Sequence, residues 1–129
     1  MVSKIFVNLP VKDLKKSIGF FTELGFKFEP KFTDENATCM IIGENIFAML
    51  LVEKFFRIFT PKEICDSGKF TEVITALQID SRAAVDDLMA KARAAGATSP
   101  MPKQEMPVMY GDNFTDLDGH MWEVFYMEG

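Results

Sequence analysis

The residues best suited to chemistry lie near the end of the chain, in the stretch Asp116–Phe125. A turn-forming Asp118-Gly119 pair precedes a strand-like run in which Glu123 is the one carboxylate among apolar neighbours. An ionised carboxylate in apolar surroundings costs several kcal/mol unless a metal, a partner or a proton compensates it. Glu123 is therefore a metal ligand, an acid–base group or an edge residue that faces water, and these alternatives imply different functions.

His120 is the chain's single histidine, and it lies three residues before Glu123. On a strand the two side chains would point to opposite faces, so His120 is poorly placed to share a ligand with Glu123. One histidine also provides no Ser/His/Asp or Cys/His constellation, and the glycines form no phosphate-binding motif.

Composition narrows the class of protein further. The chain has 129 residues, of which 48% are hydrophobic, which is enough for one domain or for two small halves that share a core. A net charge of −5 argues against nucleic acid or an anionic membrane as partner, and no apolar run is long enough to cross a bilayer. The two cysteines, Cys39 and Cys65, fit reduced thiols of a cytoplasmic protein.

The elements that must position Glu123 follow a repeated pattern. In the first half, Ile5–Leu9 alternates as a strand that Pro10 ends, and Asp13 caps a helix that stops at Gly25. Three strands are then predicted, over residues 26–33, 37–42 and 46–53. This order is β-α-β-β-β, and it defines a first module over residues 1–53.

A connector over residues 54–70 follows, with several phenylalanines and a capping box at Thr60–Glu63 that predicts a short helix. The second module, residues 71–129, repeats the first. A strand over residues 73–79 leads to a helix that Ser81 caps and Gly96 ends. Strands are predicted over residues 97–103, where two prolines weaken the pattern, and over residues 108–115 and 121–127.

This pattern resembles the vicinal oxygen chelate superfamily, which includes glyoxalase I, extradiol dioxygenases and the fosfomycin- and bleomycin-resistance proteins. The resemblance covers essentially the whole chain as one domain, residues 1–129. It implies an α+β fold in which two βαβββ modules form a cupped sheet or barrel with a central cleft, and it implies a homodimer. The matching residues are Leu9–Leu14, Ser17, Phe20, Phe21, Leu24–Phe26 and Asp116–His120 with Glu123.

Enzymes of this superfamily carry metal ligands on the first and last strands of each module. The resemblance places those positions at Phe6, Met49, Ile74 and Glu123 of this chain. Glu123 is the one side chain of the four that a hard divalent ion prefers, whereas such ions need three or more N, O or S donors. We therefore predict no metal and no other cofactor.

The resemblance also predicts which side chains line the cleft, which would be an apolar cup with few polar groups. The leading hypothesis is a protein that binds a small, partly apolar molecule without turnover, as bleomycin-resistance proteins do, with Glu123 as its polar anchor. Two alternatives stay open: an enzyme of the glyoxalase-lyase, isomerase or dioxygenase type, with an atypical metal site or Glu123 as general base, and a structural dimerisation module. The other predicted ligand-binding residues are Phe6, Asn8, Met49, Ile74, Gln78, Tyr110 and Phe125.

Overall fold

A computed structural model describes residues 1–128 and divides the chain into two compact units, Met1–Cys65 and a second that begins at Asp66. In the first unit, strand β1 (Ile5–Val11) is followed by helix α1 (Leu14–Glu23). The remaining elements are β2 (Lys27–Glu29), a 3₁₀ turn (Pro30–Phe32), β3 (Ala37–Gly43), β4 (Ile46–Val52), helix α2 (Glu53–Phe56) and a second 3₁₀ turn (Arg57–Phe59).

The second unit repeats this order with strand β5 (Ile74–Gln78) and helix α3 (Arg82–Ala94). The strands β6 (Gln104–Glu105), β7 (Met109–Thr115) and β8 (Met121–Met127) complete it. The two sheets have the same strand orders, β1-β4-β3-β2 and β5-β8-β7-β6. In each sheet the first strand pairs in parallel with the last, and the remaining pairs are antiparallel. The predicted pair of βαβββ modules is confirmed, although both sheets are open rather than closed into a barrel.

Both long helices begin and end where the sequence predicts. The Asp13 side chain accepts a hydrogen bond from the Lys16 backbone N–H at the start of α1, and Ser81 accepts one from Ala84 at the start of α3. Beyond the helix ends, Gly25 and Gly96 adopt positive φ angles of 101° and 109°. No helix within residues 1–128 is long and apolar enough to span a membrane.

Four predicted elements are wrong in extent or place. The strand predicted over residues 26–33 ends at Glu29, because a 3₁₀ turn begins at Pro30, which has no N–H for a strand ladder. Strand β1 continues through Pro10 to Val11. Because β1 is an edge strand of its sheet, its outer side pairs with no other strand within residues 1–128, and a proline without an N–H is tolerated there. The capping-box residues Thr60–Glu63 start no helix, although Thr60 Oγ1 accepts a hydrogen bond from the Lys62 N–H. Instead, the helical turns precede Thr60, where the rings of Phe55 and Phe59 pack edge to face at 5.3 Å.

The last correction concerns the segment before β7. Residues 97–103 form no strand, and only Thr98 makes an isolated bridge, to Thr115. The paired strand is the two-residue β6, which follows Pro102. Proline lacks the N–H that a ladder requires, so pairing starts only beyond it. Residues 99–103 are therefore a loop beside β7.

Helix α3 covers one face of the second sheet. The helix packs against β7 and β8 and buries its residues Val85, Met89 and Ala92. On β8, Trp122 and Val124 are also buried. The predicted alternation of β8 is confirmed by this burial. The opposite face, which carries Glu123, is not covered by α3.

Candidate functional site

The face of the second sheet that α3 leaves uncovered carries an open cavity of about 550 Å³. Every strand of this sheet contributes to its wall, together with the loop before β6. The lining residues are Ile74, Met101, Pro102, Gln104, Met109, Gly111, Asp112, Asn113, Met121, Glu123, Phe125 and Met127.

Strand pairing explains how the side chains of this face come together. Ala76 of β5 and Asn113 of β7 lie directly beside Glu123 on β8. Gly111 lies beside Phe125 in the same way. Neighbouring residues in register project to the same face, and the small residues Ala76 and Gly111 leave space where larger side chains would fill it.

The cavity wall is apolar and rich in sulfur. Four of its residues are methionines, and they are joined by Ile74, Pro102 and Phe125. Methionine is flexible and polarizable, so a wall of this kind adapts to ligands of different shape. Within residues 1–128 the Glu123 carboxylate forms no hydrogen bond or ion pair. Glu123 is exposed, and water or a ligand must therefore satisfy its oxygens.

Asn113 fixes the loop that forms one side of the cavity. Its side-chain oxygen accepts a hydrogen bond from the Met101 N–H at 3.0 Å, and its amide nitrogen donates one to the Met101 carbonyl at 3.0 Å. Asn113 is only 5% exposed, so both bonds are largely shielded from solvent. The amide thus replaces the strand pairing that residues 99–103 lack, and it places Met101 at the cavity.

Asn113→Ala is expected to release this loop, because both hydrogen bonds to Met101 disappear. We expect a loss of about 2 kcal/mol in the free energy of unfolding, because two hydrogen bonds are lost and each contributes about 1 kcal/mol net. Native-state hydrogen exchange should show a clear loss of protection at the Met101 amide. Gln104→Ala is the control, since Gln104 lines the same cavity but forms no side-chain hydrogen bond within residues 1–128. Unchanged protection at Met101 in the Asn113 variant would contradict this role.

A charged network holds the continuation of the same loop. The Tyr110 hydroxyl donates a hydrogen bond to Asp86, and the Lys103 ammonium donates one to the Tyr110 oxygen at 2.9 Å. The hydrogen bond to Tyr110, assisted by nearby Asp86 and Glu105, raises the pKa of Lys103. Arg82 adds hydrogen bonds to the carbonyl oxygens of residues 106 and 107.

The structure brings together three of the predicted site residues, Ile74, Glu123 and Phe125. Gln78 is exposed on the same face beside Phe125 but does not line the cavity. Tyr110 is only 5% exposed and belongs to the network with Asp86 and Lys103, so it does not line the cavity. Its predicted part in ligand binding stays a prediction.

The remaining predicted residues, Phe6, Asn8 and Met49, belong to the first unit. There the Phe6 ring stacks on Phe47, with centroids 4.9 Å apart. Asn8 and Met49 lie side by side in the pairing of β1 with β4. Their predicted part in ligand binding stays a prediction.

The pairing registers also test whether the superfamily's metal fits this chain. In the first sheet Phe6 pairs with Phe47, and in the second Ile74 pairs with Met121. Met49 lies two residues after Phe47, and Glu123 lies two residues after Met121. Met49 and Glu123 therefore occupy equivalent positions in the two sheets. The four positions thus offer one carboxylate and one thioether, which do not fit a hard divalent ion. Within residues 1–128 no group of three or more His, Cys, Asp or Glu side chains is placed to hold a metal.

The conspicuous turn before β8 has a structural role in this fold. One oxygen of Asp116 accepts hydrogen bonds from the backbone N–H groups of Asp118 and His120, and the other accepts one from the Trp122 indole N–H at 3.0 Å. Burial raises the pKa of the Asp116 carboxyl, against the lowering effect of His120 and of these hydrogen bonds. This acid therefore closes the turn that leads into β8, whereas Glu123 is the acid at the cavity.

Sequence reasoning missed the loop residues Met101 and Pro102 and the strand residue Asn113. The chain contains nine methionines, which indicates an adaptable binding site but does not indicate which methionines line it. Asn113 could have been found from the alternation of β7, because it lies two residues from Gly111 on the same face.

Comparison with known proteins agrees with this architecture. A hypothetical protein from S. aureus is 29% identical and superposes with a TM-score of 0.82, over 98% of this chain and 95% of that one. A glyoxalase/bleomycin resistance protein/dioxygenase family enzyme from Burkholderia phytofirmans is 17% identical, with a TM-score of 0.79 over 95% and 97% of the two chains. No curated protein matches the chain significantly.

The fosfomycin resistance protein FosX from Listeria monocytogenes, whose structure holds Mn(II) and a sulfate ion, is 19% identical. It superposes with a TM-score of 0.73 over 99% of this chain and 93% of that one. Residues 4–43 match the family model of the bleomycin resistance protein-like N-terminal region. With its paired βαβββ modules, the chain has the fold of these glyoxalase/bleomycin resistance and fosfomycin resistance proteins, and its N-terminal third resembles the bleomycin resistance protein-like family.

Proposed function

We propose that this protein binds a small, partly apolar molecule on the uncovered face of its second module, without the metal that enzymes of its superfamily use. The observation that carries the proposal is the open cavity of about 550 Å³, lined mainly by methionines and other apolar residues around Glu123. Apolar walls with few polar groups are typical of small-molecule sites. The volume is within the range that holds a drug-sized ligand.

Filling the cavity tests the proposal directly. Gly111 lies in β7 beside Phe125, and a Cβ atom there would approach Met109 Sδ and Phe125 Cβ at 3.4 Å, which is ordinary contact. Gly111→Leu would place a side chain in the cavity without a strained φ angle. We expect it to weaken binding of a neutral fluorescent probe, N-acetyl dansylcadaverine, at least tenfold, or about 1.4 kcal/mol. Fluorescence titration measures the dissociation constant.

Gly19→Leu is the matched control, because Gly19 lies in α1 of the first unit and a Cβ atom added there would have no other atom within 4 Å. This control should bind the probe as the wild type does. For the wild type, a probe concentration of 100 times the dissociation constant should add about 2.7 kcal/mol to the free energy of unfolding. Equal affinities in all three proteins would contradict the proposal, and so would the failure of all three to bind either this probe or its charged analogues.

The enzyme alternative makes a different prediction about metal. If a divalent ion is held through Glu123, protein purified with manganese, nickel, zinc or iron should contain about one ion per chain. Glu123→Gln should then lose that ion. Our proposal expects elemental analysis to find no stoichiometric metal in either protein, because the residues at the superfamily's ligand positions supply too few hard donors.

We further propose that the protein is a cytoplasmic homodimer. Cys39 is buried and Cys65 is exposed, and both are free thiols, which fits a reducing compartment. Burial raises the pKa of the Cys39 thiol, so this residue is suited to a core position rather than to reaction. Light scattering coupled to size-exclusion chromatography would give the oligomeric state.

A further inference from the structure

The charges around the cavity are unbalanced. Among the described residues that line it, two are acidic, Asp112 and Glu123, and none is lysine or arginine. The Asp112 carboxylate is already bound, because Arg93 of α3 lies 3.1 Å from it and the Asn113 N–H donates to its second oxygen. Glu123 has no such partner within residues 1–128. The site therefore presents one uncompensated negative charge.

A ligand that fills the cavity must remove water from the Glu123 oxygens. A neutral apolar molecule would leave the ionised carboxylate desolvated and unpaired, which is unfavourable. An anion would be repelled by the Glu123 carboxylate, and no lysine or arginine among the described residues that line the cavity would offset this repulsion. A cation would replace the lost water with a charge-assisted hydrogen bond or an ion pair.

The rest of the wall also suits positive charge. Phe125 offers an aromatic ring, whose face attracts a cation. Methionine sulfur atoms at Met109, Met121 and Met127 are polarizable and are not donors, so they accept a cation's hydrocarbon surface without competing for the carboxylate.

We propose that the ligand of this cavity is an organic cation, namely an apolar molecule with a protonated amine or a quaternary ammonium group that pairs with Glu123. This inference rests on the proposed binding function and adds the chemical class of the ligand. Neutral and anionic molecules of the same size bind less well because they leave Glu123 unpaired or oppose it.

Three fluorescent probes with one dansyl group and similar tails separate charge from size. Dansylcadaverine carries a primary ammonium, its N-acetyl derivative is neutral, and dansyl-6-aminohexanoate is an anion. For the wild type at pH 7.5 and low salt we expect the cation to bind about tenfold more tightly than the neutral probe. The anion should bind more weakly than either. The preference should fall when the NaCl concentration is raised, because salt screens charge pairs near the surface.

Glu123→Gln should bring the affinities for the cation and the neutral probe within about twofold of each other. Glu44→Gln, which makes the same charge change in a turn of the first unit, should keep the wild-type preference. Equal wild-type affinities for the cation and the neutral probe would overturn the inference while the binding function stands. No binding of any probe would overturn both, and a preference that survives in Glu123→Gln would overturn the role of Glu123.

Discussion

A Gly119→Ala variant is expected to lose about 3 kcal/mol or more of folding stability, in the range that marks a backbone conflict. Gly119 has a φ angle of 87°, which costs a non-glycine residue about 1 kcal/mol or more. A Cβ atom there would also lie 2.5 Å from the Ser67 carbonyl oxygen and 2.8 Å from its carbonyl carbon. Both atoms belong to the backbone, so the contact cannot be relieved by turning a side chain.

The Ser67 segment is held against this turn by a hydrogen bond of its own. The Ser67 hydroxyl donates a hydrogen bond of 2.6 Å to the Asp118 carbonyl oxygen. An alanine at position 119 would have to break this contact or shift the turn that leads into β8. Because β8 carries Glu123, we also expect weaker ligand binding by the folded fraction of this variant.

Gly25→Ala is the matched control for the Gly119 variant. Gly25 has a similar φ angle of 101°, but no atom lies within 4 Å of an added Cβ. Its destabilisation therefore measures the backbone strain alone, and the excess in the Gly119 variant measures the conflict with Ser67. Urea unfolding of both variants gives the comparison. Equal losses would show that the Ser67 segment moves aside freely.

The sequence predicted the fold well where local signals and burial agree. The ends of both long helices were predicted correctly, because each helix-end signal acts within one helical turn. These signals are the caps at Asp13 and Ser81 and the glycines at positions 25 and 96. The same kind of local signal failed at Thr60–Glu63, where a capping box is followed by no apolar stripe long enough to pack. Local propensity alone does not make a helix without tertiary burial.

The candidate site was predictable only in part. Alternation along β8 put Glu123 and Phe125 on one face, because side-chain direction on a strand depends only on parity. The same rule separates Tyr110 from that face once its register with Tyr126 is known. The contribution of Met101 depends on two long-range hydrogen bonds from Asn113, and such contacts leave no periodic trace in the sequence.

The turn before β8 also clarifies the role of Glu123. The sequence places a cluster of acids and one histidine near Glu123, as expected of a metal or acid–base site. The structure assigns Asp116 to the turn, where its oxygens accept hydrogen bonds from two backbone N–H groups and one indole. Glu123 is left as a separate, exposed group on the cavity face.

Asp116→Ala is expected to be the other strongly destabilising change, by about 3 kcal/mol. It removes the acceptor for the Trp122 indole N–H and for the backbone N–H groups of Asp118 and His120. Trp122 is 1% exposed, so its orphaned N–H would have no access to water. A buried donor without a partner costs about 1–3 kcal/mol. Thermal and urea unfolding measure the loss, and Asp87→Ala, at an exposed acid of α3, is the control.

Asp116→Asn tests the electrostatic part of the same site. Burial raises the pKa of Asp116 above its ordinary value of 3.8, so the folded state binds the proton more tightly than the unfolded state does. The stability from this protonation is fully present below about pH 4 and is lost as the pH rises through the folded-state pKa. Asparagine cannot titrate, so the stability advantage of the wild type over this variant should shrink over that pH range and then stay level. An advantage that grows with pH would show that hydrogen bonding to the charged form outweighs burial, and that the ionised carboxylate is the form the turn prefers.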